Sequence, residues 1–418
     1  MFFLTVSIEM LTLFRVRMER KKEGRRDQGS DMPNRMPLLI RIARMTYGRI
    51  LKLNGVQLKN SCGADLNAGP YLILSNHVAI LDPIMISVVM PQHIRWVAGA
   101  YLFKTWFLNL IIGKGCTAIP KQQGRQDITT LRRIQKALKD GDNVGLFPEG
   151  TRSWDGEMVS FDYHPLAKLL RLYKVPVLFV HLEGGFARHP RWAQKGRKGK
   201  VTVNITSMLT PEQIVRMEVD DLAKTLEENL HFSNDQWKQG VDYEYRSPRR
   251  AEGLQRLLYL CPSCNSMDSL TTSGNRIVCS KCNSITILDD KDNLTSVSTP
   301  FTTLSEWHKW EAGKISGMKE FPKERGVLLQ KGDANDDGTL ETLSSNITVQ
   351  LKNDVIYVEK AGSDDSVLEL PLEKVSSLVL NAKQTMELFC NDDLYRIRLL
   401  PDSCSLKYHE YFLSFKEK

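Results

Sequence analysis

Residues 71–83 contain a histidine and an aspartate whose spacing suits proton transfer. A short apolar run ends in Ser75-Asn76-His77, and Asp82 follows five residues after the histidine. A carboxylate beside an imidazole fixes its tautomer and stabilises its charged form, so the histidine can act as a general base. Histidines with satisfied structural partners are also common, and the pair alone does not decide between these roles. Because His77 follows a predicted strand, where open α/β sheets bind ligands, we expect His77 and Asp82 to be catalytic.

A second motif follows another predicted strand and combines an acid, a base and small polar residues. Its six residues are Phe147, Pro148, Glu149, Gly150, Thr151 and Arg152. Glu149 can accept a hydrogen bond from a hydroxyl, and Arg152 can hold a phosphate through two parallel hydrogen bonds. A structural loop with a capping threonine would account for Gly150 and Thr151, but not for the acid and the arginine together. The motif therefore predicts a loop that binds a phosphorylated substrate.

Two lysines, Lys114 and Lys121, flank a short predicted strand between these motifs. A lysine at this place can act as a point-charge partner for the same phosphate. Taken alone, the segment is only a basic loop.

Four of the cysteines form two Cys-x-x-Cys pairs separated by 14 residues. The pairs are Cys261 with Cys264 and Cys279 with Cys282. Two such pairs can place four thiolates tetrahedrally around one Zn²⁺, although disulfides or a redox pair are alternatives. No cleavable signal peptide is convincing, so a reducing cytosol is expected and favours zinc. Because four cysteines leave no open ligand position, the predicted zinc is structural.

The chain has 418 residues and a net charge of +8, which is unevenly distributed. From residue 327 to the end there are 10 basic and 16 acidic residues, so the preceding part is strongly basic. A basic surface indicates an anionic partner: a membrane, a nucleic acid or a phosphorylated substrate. Residues 186–200 contain six basic residues and no acid, and we expect them to contact a membrane rather than form only a solvated loop.

Residues 36–53 predict a basic amphipathic helix. Ile42, Ile50 and Leu53 share one helical face with Leu39 and Ala43, while Arg41, Arg44 and Lys52 lie towards another. Such a helix can lie in the interface of an anionic membrane, and packing on the domain core is the alternative. No window is long and apolar enough to predict a transmembrane span. We therefore expect peripheral or monotopic contact with the cytoplasmic face of a membrane.

Short apolar runs alternate with helical patterns over residues 71–205, which predicts an α/β fold with an open mixed sheet flanked by helices. Short strand-like runs and a closing helix predict a mostly-β module at the carboxyl terminus, which resembles a pleckstrin-homology-like module. The predicted segments are an extension (1–35), an α/β domain (36–240), a zinc ribbon with linkers (241–300), a linker (301–346) and the β module (347–418). Residues 1–31 are either an interfacial anchor or an upstream extension.

Taken in order, these motifs resemble the glycerolipid acyltransferase family, specifically the 1-acylglycerol-3-phosphate acyltransferases. Asn76-His77-x4-Asp82 matches the catalytic block, residues 147–152 match the acceptor-binding block, and residues 175–177 match a block that helps to shape the acyl site. The middle block usually ends in arginine, and here Lys121 stands at that position. The resemblance covers about residues 36–240, and it adds Asn76 and Lys121 to residues 147–152 as substrate-binding residues.

The resemblance implies that His77, oriented by Asp82, deprotonates a free hydroxyl of 1-acylglycerol 3-phosphate. The hydroxyl then attacks acyl-CoA or acyl-carrier protein and gives phosphatidate for phospholipid synthesis. Another lysophospholipid or glycerol 3-phosphate is an alternative acceptor. A zinc-ribbon protein that binds nucleic acid is an alternative of another class, but it leaves the His77 and Arg152 motifs unexplained. The resemblance does not imply the protein partner of the carboxyl-terminal modules.

Overall fold

The computed structural model describes residues 37–103, 109–121, 128–243, 245–296, 299–333, 340–363, 366–382 and 384–417. The predicted amino-terminal extension lies outside these ranges. Within them, a seven-stranded sheet, a four-stranded sheet and a second seven-stranded sheet follow one another along the chain. This order confirms the predicted fold class: an α/β sheet, a small ribbon and a carboxyl-terminal mostly-β module.

The first sheet is open and mixed, as predicted. Its strands are Val56–Asn60 (β1), Leu72–Ser75 (β2), Ile94–Gly99 (β3), Ile119–Lys121 (β4), Asn143–Leu146 (β5), Val177–Glu183 (β6) and Val201–Leu209 (β7). Hydrogen bonds join them in the order β1-β7-β6-β2-β5-β3-β4. β2 to β6 run parallel, whereas β7 is antiparallel to β6. β2 is buried over its whole length, which explains its uninterrupted apolar run.

Helices cover both faces of this sheet. Their bounds are Leu38–Leu53 (α1), Asp82–Val89 (α2), Ile128–Lys139 (α3), His164–Tyr173 (α4), Gly185–Arg188 (α5), Pro211–Arg216 (α6), Val219–Leu230 (α7) and Asn234–Gln239 (α8). Successive β2 side chains enter opposite cores, because side chains alternate along a strand. Ile73 packs in the core that contains Ile86 of α2, whereas Leu74 packs in the core that contains Ile134 of α3. The parallel strands therefore end at one edge between the two helical layers.

The small sheet forms the predicted ribbon. Its strands are Leu270–Ser273 (β8), Arg276–Cys279 (β9), Ile285–Leu288 (β10) and Leu294–Thr295 (β11). All neighbouring strands are antiparallel. Each of the two cysteine pairs lies at a turn, one before β8 and the other between β9 and β10.

The carboxyl-terminal sheet is antiparallel throughout. Its strands are Glu324–Asp333 (β12), Glu341–Lys352 (β13), Val355–Lys360 (β14), Ser366–Pro371 (β15), Val375–Ala382 (β16), Thr385–Cys390 (β17) and Asp393–Leu399 (β18). They pair in the order β15-β14-β13-β12-β18-β17-β16. Two helices, Leu304–Ile315 (α9) and Leu406–Lys416 (α10), pack against each other beside this module.

Two features correct the prediction that residues 301–346 are a linker. This segment contains α9, and β12 lies at the centre of the carboxyl-terminal sheet between β13 and β18. The apolar periodicity of α9 is hard to recognise in the sequence because one of its buried positions is the acid Glu311. Its carboxylate accepts hydrogen bonds from the backbone N–H groups of Tyr259 and Leu260, both at 2.9 Å, and these bonds offset part of the cost of burial.

The basic run at residues 186–200 is buried in part, and its contact with a membrane stays a prediction. Trp192 is fully buried in a core shared with residues of the ribbon and the β module. Arg197 is buried in an ion pair with Asp292, which also accepts from Arg250. Within the run, Arg197 points inward because an acid 95 residues away pairs with it, and no local pattern reveals this partner. Three lysines of the run are exposed.

Candidate active site

His77 and Asp82 lie at the carboxyl end of β2, where the chain turns into α2. The Nδ1 atom of His77 is 2.7 Å from Oδ2 of Asp82, which also accepts from the backbone N–H groups of Val78 (2.7 Å) and Ala79 (2.8 Å). The Asp82 side chain is fully buried, whereas that of His77 is 20% exposed. This carboxylate fixes the ring with Nδ1 inward, so Nε2 is the nitrogen available for proton transfer.

Two aromatic rings hold the His77 imidazole from one side. His77 stacks on Phe147 with ring centroids 4.2 Å apart, and Phe147 stacks on Trp96 at 4.8 Å. The indole N–H of Trp96 donates to the hydroxyl of Ser87 over 2.8 Å. Gly145 makes this stack possible, since a Cβ atom there would lie 2.5 Å from the Trp96 ring. The sequence motif included Phe147, but Trp96 was missed because it lies on a different strand.

Glu149 supports the backbone of His77. Its Oε1 atom accepts from the N–H of His77 over 2.6 Å, and its Oε2 atom accepts from the N–H of Val159 over 3.0 Å. The residue is only 8% exposed. Burial raises the pKa of Glu149 to about 8, although the two N–H donors partly oppose this rise. The sequence predicted a substrate contact, but the structure turns this carboxyl towards the protein backbone.

Asn76 has a similar inward orientation. Its side-chain oxygen accepts from the backbone N–H of Leu182 on β6 over 2.8 Å, and the residue is buried. This bond ties the end of β2 to the neighbouring strand. The structure shows this hydrogen bond to the backbone. The contact of Asn76 with substrate stays a prediction.

The loop after β5 presents the other predicted residues. Gly150 turns the chain with φ of +67°, a conformation that favours glycine, and its N–H donates to the carbonyl of Phe147 over 3.1 Å. Pro148 and Arg152 are half-buried. The loop also bonds to the histidine segment, since the N–H of Ser153 donates to the carbonyl of His77 over 2.8 Å. The motifs at residues 76–82 and 147–152 therefore form one structural unit.

Arg191 is a neighbour of this loop that the motif did not include. One of its Nη atoms donates to the hydroxyl of Thr151 over 3.0 Å and to the carbonyl of Arg152 over 2.8 Å. Its guanidinium also lies 4.1 Å from the ring centre of Trp154. Arg191 thus holds the loop, and the hydroxyl of Thr151 serves as its acceptor.

Lys121 ends β4, the edge strand, and is exposed. β4 is two strand positions from β5, a separation of about 10 Å at the usual strand spacing. Parallel strands place Lys121 at the same edge of the sheet as His77 and residues 147–152. Its contact with a phosphate stays a prediction.

The four predicted metal ligands converge at the ribbon. Their sulfur atoms all lie within 4.8 Å of one another, and two of the pairs, Cys261–Cys282 and Cys264–Cys279, are 3.7 Å apart. Tetrahedral zinc with Zn–S bonds of about 2.3 Å requires sulfurs about 3.8 Å apart. In both turns, the residue directly after the second cysteine is an asparagine whose backbone has a positive φ. The donor set therefore fits one tetrahedral zinc ion.

Part of the chain is similar to known acyltransferases. A family model described as "Acyltransferase" matches residues 57–182. The chain is 23% identical over 195 residues to the 1-acyl-sn-glycerol-3-phosphate acyltransferase of Saccharomyces cerevisiae, covering 45% of this chain and 63% of the yeast protein. It is 28% identical over 118 residues to the Helicobacter pylori enzyme of the same name, covering 28% of this chain and 49% of that protein.

Two further similarities concern a mammalian protein and a solved structure. The 1-acyl-sn-glycerol-3-phosphate acyltransferase alpha of Ovis aries is 26% identical over 140 residues, covering 31% of this chain and 46% of that protein. The crystal structure of the LPA acyltransferase PlsC from Thermotoga maritima has 22% identity and a TM-score of 0.39, covering 48% of this chain and 78% of that chain. The chain spans about half to two thirds of the length of the three curated relatives described. The matched part of the chain is therefore similar to acyltransferases that act on 1-acyl-sn-glycerol 3-phosphate.

Proposed function

We propose that the protein transfers a fatty acyl group from an acyl thioester to the free hydroxyl of 1-acylglycerol 3-phosphate, giving phosphatidate. The observation that carries this proposal is the His77–Asp82 pair, hydrogen-bonded at 2.7 Å and joined through backbone bonds to the loop that carries Arg152. A general base and a phosphate-binding arginine are the two groups that this reaction requires.

In the proposed reaction, Nε2 of His77 removes the proton from the acceptor hydroxyl as its oxygen attacks the thioester carbonyl. Asp82 stabilises the imidazolium that forms. The tetrahedral intermediate then releases the thiolate, which takes the proton back from His77. The ester bond forms as the thioester bond breaks, so the reaction needs no metal ion and no covalent enzyme intermediate. Coenzyme A and acyl-carrier protein are both chemically suitable thiols.

The acceptor's phosphate is assigned to Arg152, with Lys121 as a second cation at the same edge of the sheet. Arginine presents two parallel donors to phosphate, whereas lysine contributes a compact point charge. Glu149 then has a positioning role, because both of its oxygens accept backbone N–H groups. The same arrangement accommodates glycerol 3-phosphate or another lysophospholipid, which share a phosphate beside a hydroxyl.

An acyl-transfer assay with several acceptors and labelled acyl-CoA tests this proposal. Arg152→Ala should raise the KM for 1-acylglycerol 3-phosphate roughly 10- to 100-fold, the value of a lost charge-assisted hydrogen bond. A monoacylglycerol acceptor, which lacks the phosphate, should be unaffected. Arg216→Ala is the matched control, because that arginine is exposed on α6. An unchanged KM in Arg152→Ala would contradict the phosphate assignment.

We further propose that α1 lies in the interface of an anionic membrane. Met45, Ile50 and Leu53 of this helix are exposed, and the nearby Arg49 and Lys52 are exposed as well. Exposed apolar side chains beside cations are typical of interfacial helices. The described residues contain no helix with the length and apolarity needed to cross a bilayer. The combined Ile50→Glu and Leu53→Glu variant should lose co-sedimentation with phosphatidylglycerol vesicles, and retained binding would contradict this role.

The ribbon is proposed to hold one structural zinc ion through Cys261, Cys264, Cys279 and Cys282. Four thiolates complete a tetrahedral shell, so the ion would fix the ribbon without taking part in acyl transfer. A nucleic-acid-binding function lacks comparable support. Arg191 and Arg197 of the basic run are buried within the protein and are not available to phosphates of a nucleic acid.

A further inference from the structure

The loop at residues 151–157, here called the acceptor loop, contacts side chains from the carboxyl-terminal half of the chain. The contact lies three residues after Arg152 in the sequence. Asp155 of this loop is 15% exposed and faces His308 of α9, which is 13% exposed. His308 in turn faces Glu410 of α10, which is 14% exposed.

The hydrogen bonds of His308 define its charge. Its Nδ1 atom lies 2.8 Å from Oδ2 of Asp155, and its Nε2 atom lies 2.6 Å from Oε1 of Glu410. Each ring nitrogen therefore donates to a carboxylate, which requires the imidazolium form. Burial opposes this form, but Glu410 and Asp155 outweigh burial and raise the pKa of His308 well above its ordinary value. Burial would likewise raise the pKa of Asp155, yet His308 and backbone donors lower it.

Glu410 is fixed from its other side. The hydroxyl of Tyr259, which lies just before the first ribbon cysteine, donates to Oε2 of Glu410 over 2.5 Å. Tyr259 is fully buried, and its backbone N–H donates to Glu311 of α9. The chain of polar contacts therefore joins the ribbon, α9 and α10 to the acceptor loop. A displacement of these elements would change the position of Asp155.

Asp155 organises the acceptor loop and connects it to His77. Its Oδ1 atom accepts from the N–H of Glu157 over 3.0 Å and from the hydroxyl of Ser153 over 3.3 Å. The same hydroxyl accepts from the N–H of Gly156 over 2.8 Å. The N–H of Ser153 donates to the carbonyl of His77. Every step from His308 to the backbone of His77 is thus a hydrogen bond.

A separate contact reaches the same loop from the β module. Arg191, which bonds to Thr151 and to the carbonyl of Arg152, also donates to the carbonyl of Leu380 on β16 over 3.2 Å. The acceptor loop is therefore contacted twice by parts of the chain outside the matched acyltransferase region. Neither contact touches the His77 side chain.

We infer that His308 of α9 is a positioning residue that holds the acceptor loop, through its bond to Asp155, in the conformation that binds the phosphorylated acceptor. The inference rests on the proposed function for its kinetic consequence, but the loop conformation is measurable without activity. His308 does not touch substrate in this scheme, and it acts through Asp155.

Two substitutions of His308 separate its two hydrogen bonds. In His308→Asn the amide nitrogen takes the place of Nδ1 and keeps the bond to Asp155, whereas the bond to Glu410 is lost. In His308→Gln the amide nitrogen takes the place of Nε2, so Glu410 keeps its partner and Asp155 loses it. Both variants remove the same charge. His164→Gln is the control, since His164 also contacts two aspartates, Asp162 and Asp220, but is half exposed.

Two readouts are measured on the full chain. His308→Gln should raise the KM for 1-acylglycerol 3-phosphate roughly tenfold with kcat nearly unchanged, because the phosphate site is displaced while His77 and Asp82 stay paired. It should also speed hydrogen–deuterium exchange of the amides of Gly156 and Glu157. His308→Asn and His164→Gln should leave KM and exchange within about twofold of the wild-type values.

Equal behaviour of the Asn and Gln variants would overturn the inference. If both match the wild type, His308 does not position the loop; if both lose kcat in proportion to thermal stability, its role is only structural. Absence of transfer by the wild-type protein would refute the proposed function instead. In that case the exchange of Gly156 and Glu157 still decides whether His308 holds the loop.

Discussion

The Glu149→Gln substitution tests whether this buried carboxyl supports His77 or binds substrate. Both carboxyl oxygens accept backbone hydrogen bonds, from His77 at 2.6 Å and from Val159 at 3.0 Å. Glutamine preserves the shape of the side chain, but it turns an NH2 group towards one of these two donors. One buried N–H then loses its partner, which costs about 1–3 kcal/mol of stability.

The pKa of Glu149 makes this cost depend on pH. Burial raises that pKa from 4.5 to about 8, so between these values the native carboxyl holds a proton that the unfolded chain has released. The free energy of unfolding must therefore fall as pH rises through this window. One pKa unit corresponds to about 1.4 kcal/mol, so the wild-type protein should lose about 3 kcal/mol from about pH 5.5 to about pH 8.5. Glutamine does not titrate, so the deficit of the variant should shrink or reverse.

Urea unfolding of both proteins, followed by tryptophan fluorescence at the two pH values, measures this difference. Glu228→Gln on the exposed face of α7 is the control, and its difference from the wild type should not change with pH. A Glu149→Gln deficit that is the same at both pH values would refute the reasoning. A raised acceptor KM with unchanged stability would show instead that Glu149 contacts the substrate.

Three further perturbations test other parts of the site. Asp82→Asn keeps the shape of the side chain that pairs with His77 but removes its charge. The attraction between two unit charges 4 Å apart is about 4 kcal/mol at an effective dielectric constant of 20, so kcat should fall roughly 100- to 1,000-fold with the fold intact. An unchanged kcat would exclude this role. Gly145→Ala should push the Trp96 ring off the Phe147 ring, which should lower the free energy of unfolding by about 1–3 kcal/mol and lower kcat. A variant with wild-type kcat and melting temperature would show that the stack is dispensable. Mass spectrometry of the native protein should find one zinc per chain, and a chelator should lower the melting temperature; protein that contains no zinc would rule out the metal site.

The grouping of the candidate site residues could be predicted where these residues are close in sequence. His77 and Asp82 are only five residues apart in the sequence. The two Cys-x-x-Cys pairs have a spacing that is typical of zinc sites. The alternation of apolar runs and helical patterns predicted the mixed sheet. In each of these cases, neighbouring residues in the sequence are enough to specify the structural feature.

Contacts between distant segments could not be predicted in this way. The inward orientation of Glu149 depends on β5 lying beside β2, which no local pattern specifies. The burial of Arg197 in the basic run could not be predicted, because its partner Asp292 lies 95 residues away in the sequence. The role of His308 lay in a segment predicted as a linker, where a buried acid interrupted the apolar periodicity.

The most direct test of the central claim is a transfer assay with labelled acyl-CoA and 1-acylglycerol 3-phosphate, comparing the wild-type protein with His77→Ala. His164→Ala is the control for loss of a histidine. We expect the wild-type protein and the control to form phosphatidate. His77→Ala should lose about 100- to 10,000-fold in rate, the usual contribution of a general base, with the fold intact. Normal turnover by a folded His77→Ala protein would contradict the account.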